Sequence, residues 1–244
     1  MSSTKNEKAD RRQKAAELRA AQAKREARRR LFTIIGVVAA VVLIIGGAVV
    51  VSLASKKDVV AAPAGSSEYG VAIGDKSAPH QVIVYEDFLC PFCREFEAAT
   101  RDDFAQLASD GKVYVEYRPF DLLSQIGDYP IRAASAFAVV KDASGPEVAK
   151  KFHDLLFENQ PSEQDPGSVS NDDLVKLAVE AGADEAEVGD DIRNVARKDW
   201  VSEATAEAQK AGVTGTPTVL LDGKVYDNGR TIDDIAKNIL AELQ

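Results

Sequence analysis

Up to Arg30 the chain is polar, with Leu18 almost its one large apolar side chain, and residues 31–53 then run without a single charge. At about 1.5 Å per residue a helix of that length spans roughly 35 Å, enough to cross the ~30 Å hydrocarbon core of a bilayer with some tilt. The pattern predicts a transmembrane helix over 31–53. A secretory signal has a shorter apolar stretch and a shorter basic leader. The segment therefore reads as an uncleaved anchor, although the small residues at Ala54 and Ala62-Pro63-Ala64 leave cleavage open. Residues 54–67 are small, polar and Pro/Gly-containing, which suits a flexible linker.

Beyond residue 67 the periodicity changes twice. Residues 81–85, QVIVY, are a short β-branched run between Pro79 and a Cys-Pro turn, and they predict a buried strand. From Pro91 to about Ala108, Phe92, Phe96, Ala99, Phe104 and Leu107 recur at helical spacing until Asp110-Gly111 stops them. Residues 113–117 alternate like a second strand until Pro119, so the three elements predict a right-handed βαβ unit with parallel strands. Helical signals fill 131–140, 147–157, 172–181 and 186–210, with Ser170 and Asp173 spaced as a capping box. They predict an all-helical insert over about 129–211, whose core takes Phe137, Phe152, Phe157 and Trp200. Two short apolar runs then flank Asp222-Gly223, a two-residue hairpin signal, and Thr231 opens a last helix. The fold class is α/β, ordered βαβ, helices, ββα over 68–244.

Charge adds an orientation. The net charge of -9 hides a sum of +7 over residues 1–30 and of -16 over the remainder. Nine Lys/Arg lie in 11–30 but only Lys56 and Lys57 closely follow the apolar span, so the N-terminus is expected in the cytoplasm and the domain outside it. Phosphate attraction is unspecific on its own; the basic arm reads as a topogenic segment against the cytoplasmic membrane, with no nucleic-acid partner. The sequence has no Gly-rich phosphate loop, no Gly-X-Ser-X-Gly elbow and no HExxH stretch, and so gives no support to nucleotide, esterase or zinc-protease chemistry.

The two cysteines, Cys90 and Cys93, sit where the first strand hands over to the first helix. Pro91 is tolerated at the first helical position, which places Cys90 at a helix N-terminus where free N–H groups and the dipole favour a thiolate. Cys90 is the expected nucleophile. Cys93, one turn inward, is expected to be more buried and to release mixed disulfides. A permanent structural disulfide across two residues would remove little chain entropy. A zinc site would need two more ligands. The two histidines, His80 and His153, read as surface residues, and His80 should lie roughly 20 Å from Cys90 at the far end of its strand. No metal is expected.

The segment Tyr85-Glu86-Asp87-Phe88-Leu89-Cys90-Pro91-Phe92-Cys93, followed by a helix, resembles the active-site segment of the DsbA-like branch of the thioredoxin superfamily. Gly74-Asp75 with Ala78-Pro79, Tyr117-Arg118-Pro119-Phe120 and Gly212-Val213-Thr214-Gly215-Thr216-Pro217-Thr218 extend the resemblance over nearly all of 68–244. It implies a thioredoxin-like fold with a helical insert and a redox-active Cys90–Cys93 disulfide in place of a cofactor. By the same resemblance Pro217 is a cis-proline facing the cysteines, with Thr216 offering its backbone to an extended client. Phe92 occupies the place where strongly oxidising relatives carry His, which implies a weaker oxidant; it either docks clients or packs against the insert. Pro91, Asp87 and Glu86 are candidates for tuning the thiols; Asp87 either relays protons to Cys93 or is a solvated strand-end carboxylate. The expected function is extracytoplasmic oxidation of cysteine pairs in unfolded exported proteins, with a membrane redox partner for recycling. The alternatives are a reductase or disulfide isomerase at the same site, or a non-catalytic envelope accessory or holdase.

Overall fold

In the computed structural model, which describes residues 59–244, the elements follow the order β1 (Val71–Ile73), β2 (His80–Glu86), α1 (Pro91–Ser109), β3 (Val113–Pro119), α2 (Tyr129–Glu158), α3 (Asn171–Ala181), α4 (Glu185–Arg193), α5 (Lys198–Lys210), β4 (Thr218–Leu221), β5 (Lys224–Val225) and α6 (Ile232–Glu242). The basic arm and the apolar 31–53 segment lie outside the described residues; among those described, no helix is long and apolar enough to cross a membrane.

The continuous apolar run of β2 becomes the middle of a five-stranded sheet ordered β1-β3-β2-β4-β5, and Val82, Ile83, Val84 and Tyr85 are all buried because both faces are covered. β2 pairs in parallel with β3 through the α1 crossover, from His80↔Val113 to Glu86↔Pro119. On its other side β2 runs antiparallel to β4, with Tyr85↔Thr218 the last pair. That register brings the end of β2 and the start of β4 together, so the chain leaving β2 for α1 faces the chain entering β4. Asp222 and Gly223 hold φ of 51° and 80° between β4 and β5, the two left-handed residues a tight hairpin needs. The outer strands β1 and β5 are three and two residues long.

Alternate strand residues divide the core. Val82, Val84, Val115 and Tyr117 join α1, α2 and α6 on one face; Ile83, Tyr85 and Leu220 join α5 on the other. Trp200 packs against both clusters, with Phe137 at 6.0 Å and Tyr69 at 5.5 Å between ring centres. The helical insert is present, but its boundaries differ from the periodicity. The two helices read over 131–140 and 147–157 are one element broken at Gly145, whose φ of 81° and ψ of 176° end one helical run before Pro146 starts the next. The single helix read over 186–210 is two, α4 and α5, parted at Val195 with φ 51°. The capping box is formed: the Ser170 hydroxyl accepts the Asp173 N–H and the Asp173 carboxylate accepts the Ser170 N–H.

Residues 59–67 differ from a free linker. Val60 N–H donates to the Ala211 carbonyl at 2.8 Å, Gly65 N–H to Glu116 Oε2 at 2.6 Å, and Ser67 Oγ to Glu207 Oε1 at 2.7 Å. Arg118, buried and paired with Glu116 at 3.0 Å, also donates to the Pro63 carbonyl at 3.1 Å and to Tyr85 Oη at 2.9 Å. The segment is a strap laid over a buried ion pair whose hydrogen bonds it completes.

Candidate active site

Cys90 caps α1 in an extended conformation, with Pro91 starting the helix. The free N–H groups of Phe92 and Cys93 therefore face its sulfur. The β2–β4 register brings Thr216-Pro217 opposite, joined by a cis peptide bond, and the Cys90 thiol donates to the Thr216 carbonyl at 3.4 Å. Hydrogen bonding from the Cys93 thiol, opposed by burial and aided by the Thr216 side chain and the two N–H groups, lowers the Cys90 pKa from 9.0 to about 6. Burial pushes Cys93 well up, and the neighbouring Cys90 and the Glu86 charge push the same way. Both cysteines are free and buried. One sulfur is set to be a thiolate at neutral pH, and the other a thiol.

Four of the residues singled out from the sequence, Cys90, Cys93, Thr216 and Pro217, are thus brought together. Phe92 is 57% exposed beside Cys90 and does not bury itself against the insert. Asp87 is not a solvated carboxylate: it is fully buried and accepts the N–H groups of Leu89, Leu122 and Leu123 at 2.8, 2.8 and 2.9 Å. Burial nevertheless raises it to about 6 against those bonds. Its backbone N–H also reaches Cys93. Gln160, from the loop after α2, donates to the Phe88 and Cys90 carbonyls at 2.9 and 3.0 Å and ties the insert to the active-site segment. An open cleft of about 370 Å³ beside it is lined by Leu89, Pro91, Arg94, Gln160, Pro161 and Gln164.

His80 lies at the far end of β2, where it pairs with Asp222. His153 corrects the sequence reading. It is fully buried, not on the surface, with Nε2 on Glu86 and Nδ1 on Asp154, among the rings of Phe88, Tyr117 and Phe157. Burial alone would lower its pKa, but the two carboxylates override this and raise it to about 9. Glu97, on the inner face of α1, joins the same group, which the sequence reading passed over. Helical spacing held the signal: Glu97 is four residues from Cys93 and follows inward-facing Phe96, while His153 sits between Ala149, Phe152, Leu156 and Phe157. Glu86, Glu97 and His153 bring one donor atom each within 4.8 Å of the others. Both ring nitrogens of His153 are already bonded to carboxylates, Nε2 to Glu86 and Nδ1 to Asp154.

Comparison with known proteins agrees with this geometry. A family profile described as Thioredoxin (Thioredoxin_4) matches residues 66–241. The disulfide bond formation protein D of Bacillus subtilis is 26% identical over 181 residues, covering 70% of this chain and 76% of its own. Among solved structures, DsbA from Mycobacterium tuberculosis in its reduced form superposes with a TM-score of 0.58 at 26% identity, over 72% of this chain and 90% of that one. MdbA from Corynebacterium diphtheriae, described as a thiol-disulfide oxidoreductase, gives 0.59 at 26% identity, over 70% and 85%.

Proposed function

This chain belongs to the thioredoxin family and is a thiol-disulfide oxidoreductase of the DsbA type; we propose that it oxidises cysteine pairs of exported proteins through a Cys90–Cys93 disulfide. A client thiolate attacks Cys90 Sγ, the Cys90–Cys93 bond breaks, and its electron pair leaves on Cys93. A second client thiolate then attacks the client sulfur of the mixed disulfide and expels Cys90 as a thiolate. The client loses two electrons and the cysteine pair gains them. A lowered thiol pKa makes Cys90 the better leaving group in that second step.

The observation that carries the oxidising direction is the opposed setting of the two thiols, Cys90 lowered to about 6 and Cys93 raised. Stabilising the reduced form in this way makes a pair more oxidising. The Thr216 backbone beside Cys90 supports main-chain binding of an extended client, which suits unfolded chains of little sequence preference. Location rests on the sequence: a cytoplasmic N-terminus, a single span over 31–53 and the domain outside the cytoplasmic membrane, where a membrane redox partner reoxidises the pair.

The test is trapping. Cys93→Ser should accumulate exported proteins as mixed disulfides on Cys90, and Cys90→Ser should accumulate none; client oxidation unaffected by Cys90→Ser would overturn the proposal. Phe92 between the cysteines, where a cation would favour the thiolate, supports the second reading of a reductase or isomerase. A reduction potential nearer to about -270 mV than to about -120 mV selects it.

A further inference from the structure

Glu86 on β2, Glu97 on α1 and His153 on α2 each bring one donor atom within 4.8 Å of the other two, and all three side chains are buried. Three carboxyls, Glu86, Glu97 and Asp154, face only Lys150 and one imidazole there, and Lys150 is already paired with Asp154. Both oxygens of Glu97 and Oε2 of Glu86 have no hydrogen-bond partner. A separate side chain points to the same spot. Tyr117 on β3 is fully buried, its ring centre 4.7 Å from that of His153, and its hydroxyl is likewise unpartnered. Glu97, Asp154 and Glu86 are the charges that bear on it most. Buried polar atoms are almost always bonded, so four bare oxygens from three elements converge on something that bonds them together.

We propose that Glu86, Glu97 and His153 Nε2 bind a zinc ion, with the Tyr117 hydroxyl beside it. The site uses neither cysteine, so it stands apart from the exchange assigned to Cys90 and Cys93, and it reverses the expectation of no metal, which looked for zinc at the thiols. Asp154 accepts from His153 Nδ1 at 3.0 Å, the carboxylate–histidine pairing that orients a metal-binding imidazole with its other nitrogen toward the ion. Nε2 and Glu86 Oε1 lie 2.5 Å apart across one proton; zinc replaces that proton and the one on Glu97. Two carboxylates then neutralise the divalent charge, and Asp154 cancels Lys150. Zn–N and Zn–O bonds of about 2.0–2.2 Å hold tetrahedral ligands roughly 3.4 Å apart. The closest pair must open by about 0.9 Å and the widest close by about 1.4 Å, within reach of two glutamate side-chain torsions. Calcium takes about six to eight oxygens and magnesium keeps several waters; a sealed site with an imidazole suits neither. Closed off from any substrate, the ion is structural: it joins β2, α1 and β3 to α2 of the insert.

The experiment makes the full-length protein in cells given Zn2+, oxidises the cysteine pair so that no thiol holds metal, passes the protein over a chelating resin and counts metal per chain. Unaltered protein should keep about one zinc, and Glu97→Gln less than about a tenth of one. His80→Ala, which alters the exposed pair with Asp222, should keep it all. No metal in the unaltered protein, a metal other than zinc, equal zinc in Glu97→Gln, or zinc lost with His80→Ala overturns the proposal. The disulfide stays closed throughout, so none of these outcomes bears on exchange. The urea midpoint of the unaltered protein should be higher in Zn2+ than in a chelator, and that of Glu97→Gln the same in both; equal midpoints for the unaltered protein overturn the site as well. Should Glu97→Gln fail to fold, Co2+ supplied in place of Zn2+ decides: the intense visible absorption of a four-coordinate ion supports the site, and the weak bands of a six-coordinate ion overturn it.

Discussion

Cys90 and Cys93 are three residues apart and made of the same atoms, and their surroundings set them to opposite tasks. The folded Cys90 thiol titrates near 6 against an ordinary value of 9.0, so above pH 6 the unfolded reduced chain binds the extra proton. Stability of the reduced protein over the disulfide form should therefore rise from about pH 6 to about pH 9 and vanish below 6; paired urea titrations of the two forms check it. Alkylation of Cys90 should show a midpoint near pH 6. The two sulfurs are legible in the sequence because their chemistry is written in spacing and in a turn residue, and Thr216-Pro217 because of the family resemblance. Glu97 and His153 are not. A charged or polar residue is normally solvated, and only its place between Phe96 and Thr100, or between Phe152 and Phe157, marks it as inward. Asp87 was visible as a candidate, yet its three N–H partners come from Leu89, Leu122 and Leu123, two of them distant in the chain.

Elements that follow from local chemistry match the pattern read along the chain. The parallel β2–β3 pair, the Asp222-Gly223 hairpin and the Ser170 cap each carry their own short-range signal. Ser170→Ala should cost about 1 kcal/mol, as the loss of an N-cap does. The breaks within helical stretches are harder to read. At Gly145 the backbone adopts a conformation that costs other residues about 1–3 kcal/mol, while a Cβ there would meet no neighbouring atom. Gly145→Ala should therefore lower stability by that amount through the backbone alone, measured by urea unfolding. β1 escaped the reading because three residues, Val71 to Ile73, hold their strand only by pairing with β3.

Across the whole described molecule, the strap decides where the folded unit begins. A chain starting at Glu68 removes the Pro63 carbonyl from Arg118 and the Gly65 N–H from Glu116. Hydrogen bonds to charged groups contribute about 1.5–3 kcal/mol each, so that chain should be less stable than one starting at Val59 by on the order of 3 kcal/mol in urea; equal midpoints would show the strap to be ornamental. Composition marked 54–67 as loose because the partners, Glu116, Arg118, Glu207 and Ala211, are remote in sequence. The brevity of β1 and β5 carries a last consequence. Unfolded polypeptides seek any long unpaired backbone rim and seed aggregates upon it. A sheet bordered by three residues on one flank and two on the other gives them almost nothing to nucleate on, and adhesion is left to the place where the sulfur waits.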